Sequence, residues 1–596
     1  MNGGERIARV LHDRGVREIF TLCGGHISPI LVEAKRLGIR ITDVRDEATA
    51  VFAADAYARL TGIPGVAAVT AGPGLTNTIT PLKNAQLAQS PVLVLGGATA
   101  TALKKRGALQ DIDQMPLMAP HVKFARAVKR LRDLAPAVVE ALETSDTGVP
   151  GPVFVECPVD LLYDEEIIRS WYADSMPRGN ALADKAVRAY LNWHADRLFG
   201  GADRMPPPAS ESPAVLPRPD AIRDIVRQLA TAKRPVMVCG SQALARAADA
   251  DLVRDAIVKL GIPVYLSGMA RGLLGADHEL LFRHRRRDAI KGADLVILAG
   301  VPCDFRLDYG KQIRRSAKLV SFNLSRRELR LNHRPDHGLL ADPGLCLRDL
   351  ADATTGTPPD RSEWFAELRQ RDVAREADIT ERAAQTGKGV NPLRLCREID
   401  AVLPDDSVLV ADGGNAAVWA MFYHKARVPN RILSTFRFGM LGAGMAQAVG
   451  AAIACPDVPV CCIIGDGAFG FHPQEVETAV RNKARVIWIV LCDRQWGMVK
   501  INQQFMLRPF KTMLFKKLGE HETIKTDLGE IRFDLLAQSM GAHGERVSSA
   551  GEFRAALQRA LDSGGAAVIH VDVDPVKHMW APGLIHFKKM HEEPAG

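Results

Sequence analysis

Two aspartates in the C-terminal third of the chain follow strand-like apolar runs and lie 27 positions apart (466 to 493). Asp466 stands between Gly465 and Gly467 after VPVCCII, and Asp493 follows RVIWIVLC. Because the carboxyl ends of neighbouring parallel strands meet at one edge of a sheet, both carboxylates should lie close together. Carboxylate and carbonyl oxygens are the ligands that Mg²⁺ prefers, and the carbonyl of Gln495 is a candidate third ligand.

The same turn has the features of a phosphate site. The two glycines allow a tight turn and a close backbone approach to an anion. A helix predicted to begin near 473–475 would add free N–H groups. The alternative is a plain turn in which Asp466 only caps a helix.

Short apolar runs alternate with helical patterns along most of the chain. Each run is rich in β-branched residues and ends in Gly or Asp, which is typical of buried parallel strands. The alternation predicts an α/β fold of doubly wound parallel sheets with right-handed crossovers. Examples are GVAAVTAG (65–72), SPVLVLGG (90–97), RPVMVCG (234–240), ADLVILAG (293–300) and DSVLVADGG (406–414).

Two segments interrupt this alternation. Residues 204–219 are rich in proline, which indicates a linker, and residues 355–390 are charged and helical without strand signals. We therefore predict three doubly wound domains, with a linker and a helical linker between them. Their ranges are 1–190, 191–217 (linker), 218–352, 353–389 (helical linker) and 390–596.

The composition excludes several classes of protein. The chain has 596 residues, of which 47% are hydrophobic and 24% charged, with a formal charge of +8. No basic block is long enough for a nucleic-acid arm, and RHRRR at 283–287 is interpreted as a solvated face. No apolar run reaches the roughly 18 residues of a membrane span. The ten cysteines form no CxxC pair and lie mostly in apolar runs, so a reducing, cytoplasmic location is predicted.

With its second aspartate, the C-terminal motif resembles that of the thiamine diphosphate (ThDP) enzymes. Their motif is GDG followed after about 25 residues by an Asn that completes the Mg²⁺ site. Asp493 stands here where the family usually has Asn, and it adds a negative charge beside the diphosphate. The resemblance implies ThDP and Mg²⁺ as cofactors, with Asp466, Asp493 and Gln495 as metal ligands.

The N-terminal block carries the second part of this resemblance. The segment ITDVRDEATAVFAADAYARLTG is similar to the family's segment around the Glu that contacts N1′ of the aminopyrimidine, which implies this role for Glu47. Asp46 is adjacent, but the register favours Glu47. The alternative is that Glu47 only stabilises the first turn of a helix. The run TAGPGLTNTIT (70–80) is similar to the family's GPG-x-TN turn near the pyrimidine.

The third block carries the remaining cofactor motifs. In FRFGMLGAGMAQAVGA (436–451) the resemblance implies that the carbonyl of Gly439 accepts from the 4′-amino group. Leu441 is then the apolar wedge under the bent cofactor, where acetolactate synthases usually have Met. ADGGNAAVW (411–419) matches the loop that binds the diphosphate. The residues implied in this contact are Gly413, Gly414, Asn415, Ala416, Gly465, Asp466, Gly467 and Ala468.

The order of the blocks resembles the acetolactate synthase and 2-hydroxyacyl-CoA lyase branch. In that branch the resemblance implies substrate contacts for His26, in GGHISP, and for Gln110. Lys123 matches the lysine that follows this glutamine in the family. A structural histidine and surface polar residues are the alternatives. GMARGLLG and CDFRLDYG carry the similarity to the lyases in particular.

The leading functional hypothesis is a ThDP- and Mg²⁺-dependent decarboxylase or carboligase acting on 2-keto acids. The alternative is a lyase that splits 2-hydroxyacyl-CoA into formyl-CoA and an aldehyde, and a non-catalytic ThDP-binding scaffold is less favoured. In this family the Glu and the diphosphate site come from different subunits, which implies a homodimer or homotetramer. The central Rossmann-like domain can hold FAD or ADP in relatives, although no GxGxxG occurs in it here.

Overall fold

The computed structural model describes residues 2–201, 205–210, 212–245, 249–515, 522, 524–575 and 581. Three parallel β-sheets flanked by helices follow one another along the chain, which confirms the predicted fold class. Among the described residues, no helix combines the length and apolar character needed to span a membrane.

The first sheet has six strands in the order β2-β1-β3-β4-β6-β5. Its strands are β1 (Glu18–Thr21), β2 (Arg40–Asp43), β3 (Gly65–Val69), β4 (Val92–Ala98), β5 (Phe124–Ala127) and β6 (Val153–Pro158). The helices of this block are α1 (Gly3–Asp13), α2 (Ser28–Arg36), α3 (Glu47–Thr61), α4 (Pro73–Thr76), α5 (Ile79–Ala88), α6 (Gln114–Met118), α7 (Leu131–Asp146), α8 (Glu165–Asp174) and α9 (Leu182–Phe199), with 3₁₀ turns at Thr101–Leu103, Ala119–His121 and Val159–Leu161.

The second sheet has five strands in the order β11-β10-β9-β7-β8. Its strands are β7 (Pro235–Cys239), β8 (Val264–Leu266), β9 (Leu295–Ala299), β10 (Lys318–Asn323) and β11 (His337–Leu340). The helices are α10 (Pro219–Thr231), α11 (Ala250–Leu260), α12 (Arg286–Gly292), α13 (Pro343–Ala353) and α14 (Ser362–Ala384), with 3₁₀ turns at Ser241–Leu244, Gly268–Ala270, Phe305–Gly310 and Glu328–Arg330.

The third sheet has six strands in the order β13-β12-β14-β15-β17-β16. Its strands are β12 (Val408–Asp412), β13 (Ile432–Ser434), β14 (Val460–Gly465), β15 (Val486–Cys492), β16 (His543–Val547) and β17 (Ala567–Asp572). The helices are α15 (Pro392–Val402), α16 (Asn415–Tyr423), α17 (Ala443–Ala454), α18 (Asp466–Phe469), α19 (Glu475–Arg481), α20 (Gly497–Ile501), α21 (Pro509–Phe515), α22 (Phe533–Ser539) and α23 (Ala550–Asp562), with a π-helix at Asn502–Met506.

In each sheet the strand order reverses at the first strand, and in the first and third sheets it reverses again where β6 and β17 lie beside β4 and β15. In the third sheet the chain leaves β12 towards β13 on one side and then returns to place β14 on the other. The corresponding pairs are β1 and β3 in the first sheet and β7 and β9 in the second. Ligands of open α/β sheets bind outside the carboxyl ends of the strands at such a switch point. Each sheet therefore offers such a position at its first strand.

The chain packs as two compact units. The first comprises Met1–Pro213 and Arg437–Ala454, and the second comprises Ala214–Phe436 and Cys455–Gly596. The predicted domain boundaries stay a prediction, to which the structure adds two facts. Helix α9 continues to Phe199, so the predicted linker 191–217 begins inside a helix that packs on the first core. Helix α17 belongs to the first unit although its sequence lies in the third block.

Small residues let α3 and α17 pack closely within the first unit. Helix α3 begins after Asp46, whose side chain accepts a hydrogen bond from the amide of Ala48, and it ends at Gly62 in the left-handed conformation. A Cβ atom added at Gly450 of α17 would lie 2.3 Å from the carbonyl oxygen of Ala53. Glycine at this position therefore allows a backbone contact between the two helices.

We predict that Gly450→Ala destabilises the first unit. The added methyl group has to push the α3 backbone away, and overpacking of this kind costs about 1–3 kcal/mol. Gly551→Ala is the matched control, because Gly551 lies in the first turn of α23 with no atom within 4 Å of the added Cβ. The thermal unfolding midpoint should fall only in Gly450→Ala. Equal midpoints in the two variants would contradict the close packing.

Candidate active site

The switch point of the third sheet brings three loops together in the second unit. Strands β12, β14 and β15 pair in register, with Asp412 opposite Ile464 and Gly465 opposite Leu491. The loops that follow these strands therefore begin side by side at the carboxyl edge. They are residues 413–416, 465–468 and 493–497.

Asp466 and Asp493 come together at this edge, as the sequence predicts. Both carboxylate oxygens of Asp466 accept main-chain hydrogen bonds at 2.7 Å, one from the amide of Gly467 and the other from the amide of Arg494. Burial raises the pKa of Asp466 to about 6. Burial and the neighbouring charge of Asp466 raise the pKa of Asp493 to about 7. Two buried carboxyl groups that repel one another suit a bound cation.

Gln495 supports this pair through its side chain. Its amide nitrogen donates to a carboxylate oxygen of Asp493 at 3.1 Å and to the carbonyl of Pro575 at 2.6 Å. Its amide oxygen accepts from Nζ of Lys500 at 2.9 Å. Gln495 thus fixes the orientation of Asp493, and the predicted ligation through its carbonyl stays a prediction.

The Asn415 side chain is buried and has no hydrogen-bond partner among the described residues for either of its polar atoms. A Cβ atom added at Gly497 would lie 2.4 Å from its Nδ2 and 3.3 Å from a carboxylate oxygen of Asp493. The amide therefore lies beside the carboxylate pair. A buried polar group of this kind calls for a ligand, a water molecule or an ion.

Glycines let the loops around Asn415 approach one another. Gly413 has φ +97°, and a Cβ atom added to it would lie 3.1 Å from the amide nitrogen of Gly465. A Cβ atom added at Gly467 would lie 2.5 Å from the ring of Trp496. At Gly414 it would meet Met498 at 2.8 Å. The backbone of these loops thus forms a narrow cradle.

Helix N-termini add main-chain donors to the cradle. Helix α16 begins at Asn415 after Gly414, and α18 begins at Asp466 after Gly465. First-turn N–H groups have no partner within their own helix and attract anions. Ala416 and Ala468, in these first turns, are both buried. Hard oxygen ligands, backbone donors and an unpartnered amide suit a metal-bound diphosphate.

In the first unit, Asp46 and Glu47 divide two roles between them. Asp46 caps α3, and its carboxylate accepts from the amide of Ala48 at 2.7 Å. The carboxylate of Glu47 instead accepts from Nδ2 of Asn77 at 3.0 Å, and the residue is 7% exposed. Glu47 lies in the first turn of α3, as the helical alternative states, and its buried carboxylate also contacts Asn77, so its catalytic role stays a prediction.

The GPG turn packs directly against this carboxylate. A Cβ atom added at Gly74 would lie 3.1 Å from Oε1 of Glu47. Gly72 has φ +63°, and its amide donates to Oε1 of Gln114 at 3.3 Å. The turn and Glu47 thus form one rigid group in the first unit.

Gln114 is a positioning residue that sequence reasoning missed. It is 2% exposed, and its Nε2 donates to the carbonyl of Gly97 at 3.1 Å and to Oε2 of Glu156 at 3.0 Å. It ties the GPG turn to the ends of β4 and β6. Nothing in the local sequence marks Gln114, because its partners lie 17 to 42 positions away along the chain.

His26 and Gln110 both lie near the switch point of the first sheet. Nδ1 of His26 is 3.0 Å from Oγ1 of Thr70, which follows β3, and burial lowers the pKa of the imidazole. The ring is then neutral near pH 7. The main chain of Gln110 contacts Gly72, where an added Cβ atom would lie 2.9 Å from the Gln110 carbonyl oxygen.

Lys123 has a structural explanation. Its Nζ donates to the carbonyls of Thr144, Thr147 and Val149 at 2.6–2.8 Å, so it binds the C-terminal end of α7 and the turn beyond it. Burial lowers the pKa of Lys123 to about 8. These bonds favour the structural alternative over a substrate contact.

Gly439 and Leu441 precede α17 in the first unit. Gly439 is exposed with φ +76° and open space around it, and Leu441 is half-buried. Their predicted contacts with the cofactor stay a prediction.

Models of all three domains of the thiamine pyrophosphate enzymes match this chain. The N-terminal TPP binding domain matches residues 1–117, the central domain matches 222–350, and the C-terminal TPP binding domain matches 412–571. Each model covers one of the three sheets in whole or in part.

Similar proteins are found in animals and bacteria. "2-Hydroxyacyl-CoA lyase 2" of Caenorhabditis elegans is 45% identical over 94% of this chain and 87% of its own length. The human protein of that name is 45% identical over 84% of this chain and 80% of its length. "Acetolactate synthase large subunit IlvG" of Mycobacterium tuberculosis is 33% identical over 96% of both chains. The chain therefore belongs to the thiamine pyrophosphate enzyme family, whose members form or break carbon–carbon bonds with thiamine diphosphate.

Proposed function

We propose that this protein is a 2-hydroxyacyl-CoA lyase, which splits its substrate into formyl-CoA and an aldehyde with ThDP and Mg²⁺. The observation that carries the proposal is the difference in similarity: relatives named as this lyase are 41–45% identical to this chain, against 33% for one named as an acetolactate synthase. This reverses the order of the two hypotheses from the sequence. The decarboxylase or carboligase of 2-keto acids becomes the second candidate.

The switch point of the third sheet is the proposed site of Mg²⁺ and the diphosphate. The carboxylates of Asp466 and Asp493 and the carbonyl of Gln495 would bind the metal. The support is the raised pKa of both carboxyl groups and the unpartnered amide of Asn415 beside them. The proposed diphosphate contacts are Gly413, Gly414, Asn415, Ala416, Gly465, Gly467 and Ala468.

Glu47 is proposed to exchange a proton with N1′ of the aminopyrimidine. Asn77 donates to one oxygen of this carboxylate and holds it in place, while Gly74 brings the turn close to the other. A buried, oriented carboxylate is suited to proton transfer. ThDP itself would supply the electron sink for the carbon–carbon bond that breaks.

His26 is proposed to bind an oxygen of the substrate. Thr70 engages its Nδ1, which leaves Nε2 available, and the neutral ring can donate or accept one hydrogen bond. Gln110, whose main chain contacts Gly72, is proposed as a second substrate contact. Gly439 is proposed to bind the pyrimidine of the cofactor, and Leu441 is proposed to support its bent shape. By family resemblance we propose that the protein is a homodimer or homotetramer. The binding of FAD or ADP at the switch point of the second sheet stays a prediction.

Substrate preference separates the two candidate functions. We expect a 2-hydroxyacyl-CoA, incubated with the protein, ThDP and Mg²⁺, to yield formyl-CoA and the aldehyde. Pyruvate under the same conditions should yield no acetolactate. Both products are measured by chromatography with mass detection. Acetolactate formation without aldehyde release would reject the lyase in favour of the carboligase.

Two substitutions separate proton transfer from cofactor binding. Glu47→Gln keeps the size and the hydrogen bond of the side chain, so we expect ThDP affinity to be retained while kcat falls at least about 100-fold.

Asp466→Ala removes a metal ligand, so we expect Mg²⁺-dependent ThDP affinity to fall at least about ten-fold. Calorimetry measures the affinity, and turnover is measured separately. Full activity in Glu47→Gln, or unchanged affinity in Asp466→Ala, would overturn the assigned roles.

Gly413→Ala tests the cradle. Its φ of +97° disfavours a side chain by about 1–2 kcal/mol, and the new methyl group would press on the loop at Gly465. We expect ThDP affinity to fall about ten-fold. Gly15→Ala is the control, because Gly15 has φ +89° in the first unit, with no atom within 4 Å of the added Cβ. An equal effect of both variants on ThDP affinity would show that backbone strain alone is responsible.

A further inference from the structure

A buried polar cluster joins three helices of the first unit. Asp55 lies in α3, Asn84 in α5 and Gln447 in α17, and these residues are 0%, 2% and 0% exposed. Nδ2 of Asn84 and Nε2 of Gln447 both donate to Oδ2 of Asp55 at 3.1 Å. One carboxylate oxygen of α3 therefore accepts hydrogen bonds from two other helices. We refer to Asp55, Asn84 and Gln447 as the Asp55 cluster.

The bond between Asn84 and Asp55 repeats the contact that Glu47 makes at the candidate site. Glu47 is the first residue of α3, and Asn77, which donates to its carboxylate, lies two residues before α5. Asp55 follows Glu47 by eight positions (47 to 55), and Asn84 follows Asn77 by seven (77 to 84). The two chain segments are thus joined at two points about two helical turns apart. A second point of attachment prevents a rotation that the first alone would allow.

Gln447 adds a register between α3 and α17. The rest of this helix contact is small and apolar: Phe52 forms a cluster with Ala443 and Ala446, and the backbones approach one another at Gly450. Gln447 is the one polar residue in the sequence of α17, AGMAQAVGAAIA. Small apolar surfaces pack in more than one register, whereas a buried hydrogen bond is satisfied in one only.

Helix α17 has an independent anchor in the first unit. Nη1 of Arg437, which precedes the helix, donates at 3.0 Å to the carbonyl of Leu87 near the end of α5. The start of α17 is therefore fixed on α5 without the Asp55 cluster. Helices α5 and α17 then serve as the frame against which Asp55 sets the position of α3.

The Asp55 cluster adds little net stability for a buried charge. Nη1 of Arg59 lies 3.7 Å from Oδ2 of Asp55. Oδ1 of Asp55 and Oε1 of Gln447 have no hydrogen-bond partner among the described residues. Apolar side chains of similar volume are often as stable as a buried pair of this kind. The best attested role of such a group is to fix one arrangement of packed elements.

We propose that Asp55 is a positioning residue for Glu47, because it holds α3 in the one register on α5 and α17 that directs the Glu47 carboxylate to N1′. The proposal rests on the proposed role of Glu47 in proton exchange. Asp55 lies eight positions from Glu47 (47 to 55), which corresponds to about 12 Å along the helix at about 1.5 Å per residue. It acts only through the position of the helix.

Asp55→Leu tests the proposal, because leucine has a similar volume and accepts no hydrogen bond. We expect kcat with 2-hydroxyacyl-CoA to fall at least about ten-fold, since a misplacement of about 1 Å in a reacting group can cost about 100-fold. The near-ultraviolet circular dichroism band of the aminopyrimidine tautomer that the Glu47 contact favours should weaken, as it should in Glu47→Gln. ThDP affinity, measured by calorimetry, should fall less than about three-fold, because the cradle holds the diphosphate.

Asp55→Asn is the conservative variant. Its side-chain carbonyl oxygen can accept from both Asn84 and Gln447, so kcat and the dichroism band should stay within about two-fold of the wild type. A loss as large as that in Asp55→Leu would show that the charge matters rather than the register, and it would overturn the proposal.

Glu18→Leu is the matched control. Glu18 is another buried carboxylate of the first unit, 2% exposed, and it pairs with Arg40 at 2.5 Å. It lies at the amino end of β1, whereas Glu47 and the GPG turn follow the carboxyl ends of β2 and β3. Both leucine variants should have a lower thermal unfolding midpoint, but only Asp55→Leu should lose kcat and the band. Equal losses in both would indicate a general structural effect and reject the positioning role.

Asn84→Leu/Gln447→Met replaces Asp55→Leu if the latter does not fold. The double variant removes both donors, keeps the carboxylate and preserves much of the side-chain volume. The same fall in kcat and the same weakening of the band are expected. Wild-type kcat and an unchanged band in a folded variant would contradict the role of Asp55.

Two outcomes separate Asp55 from the proposed function. If the wild type shows the band but converts neither 2-hydroxyacyl-CoA nor pyruvate, the proposed reaction fails, while the band still tests Asp55. If Glu47→Gln keeps the full band, the role of Glu47 fails, and the proposal for Asp55 fails with it.

Discussion

The parallel register of β12, β14 and β15 is the constraint on which the candidate site depends. These strands are buried, and their pairing fixes where each chain segment leaves the sheet. Because all three end at the same edge, Asp466 and Asp493 meet although 27 positions separate them (466 to 493). The reversal of strand order between β12 and β14 leaves the edge open for a ligand. A shift of one residue in this register would turn the carboxylates to opposite faces.

Much of this arrangement could be predicted from the sequence, because it follows from strand ends. The apolar runs mark the strands, and the polar residues directly after them mark the edge, so the meeting of Asp466 and Asp493 needed no side-chain detail. The division of roles between Asp46 and Glu47 was harder to predict from the sequence. Both residues stand at the start of α3, and only the hydrogen bonds to Ala48 and Asn77 show which one caps the helix.

Other features depended on tertiary contacts that leave no local signal. The sequence left Lys123 between a substrate contact and a surface polar residue, whereas its three carbonyl partners give it a structural role. Gln114 carries no motif of its own. In RHRRR the pattern indicated a solvated face, but a left-handed residue at Arg285 and the anchor at Asp372 direct part of the run inward. Composition shows that a charge is present, and tertiary structure decides whether water surrounds it.

Helix α16 joins the two unbalanced charge distributions of the second unit. Its N-terminal end at Asn415 lies with the carboxylate pair, and its C-terminal carbonyls accept from Arg271 and Arg283. The helix dipole favours this arrangement, since N–H groups face acceptors at one end and cations meet carbonyls at the other. It does not neutralise the first end, because about half a charge does not offset two carboxylates. A cation at the first end would balance the carboxylate pair.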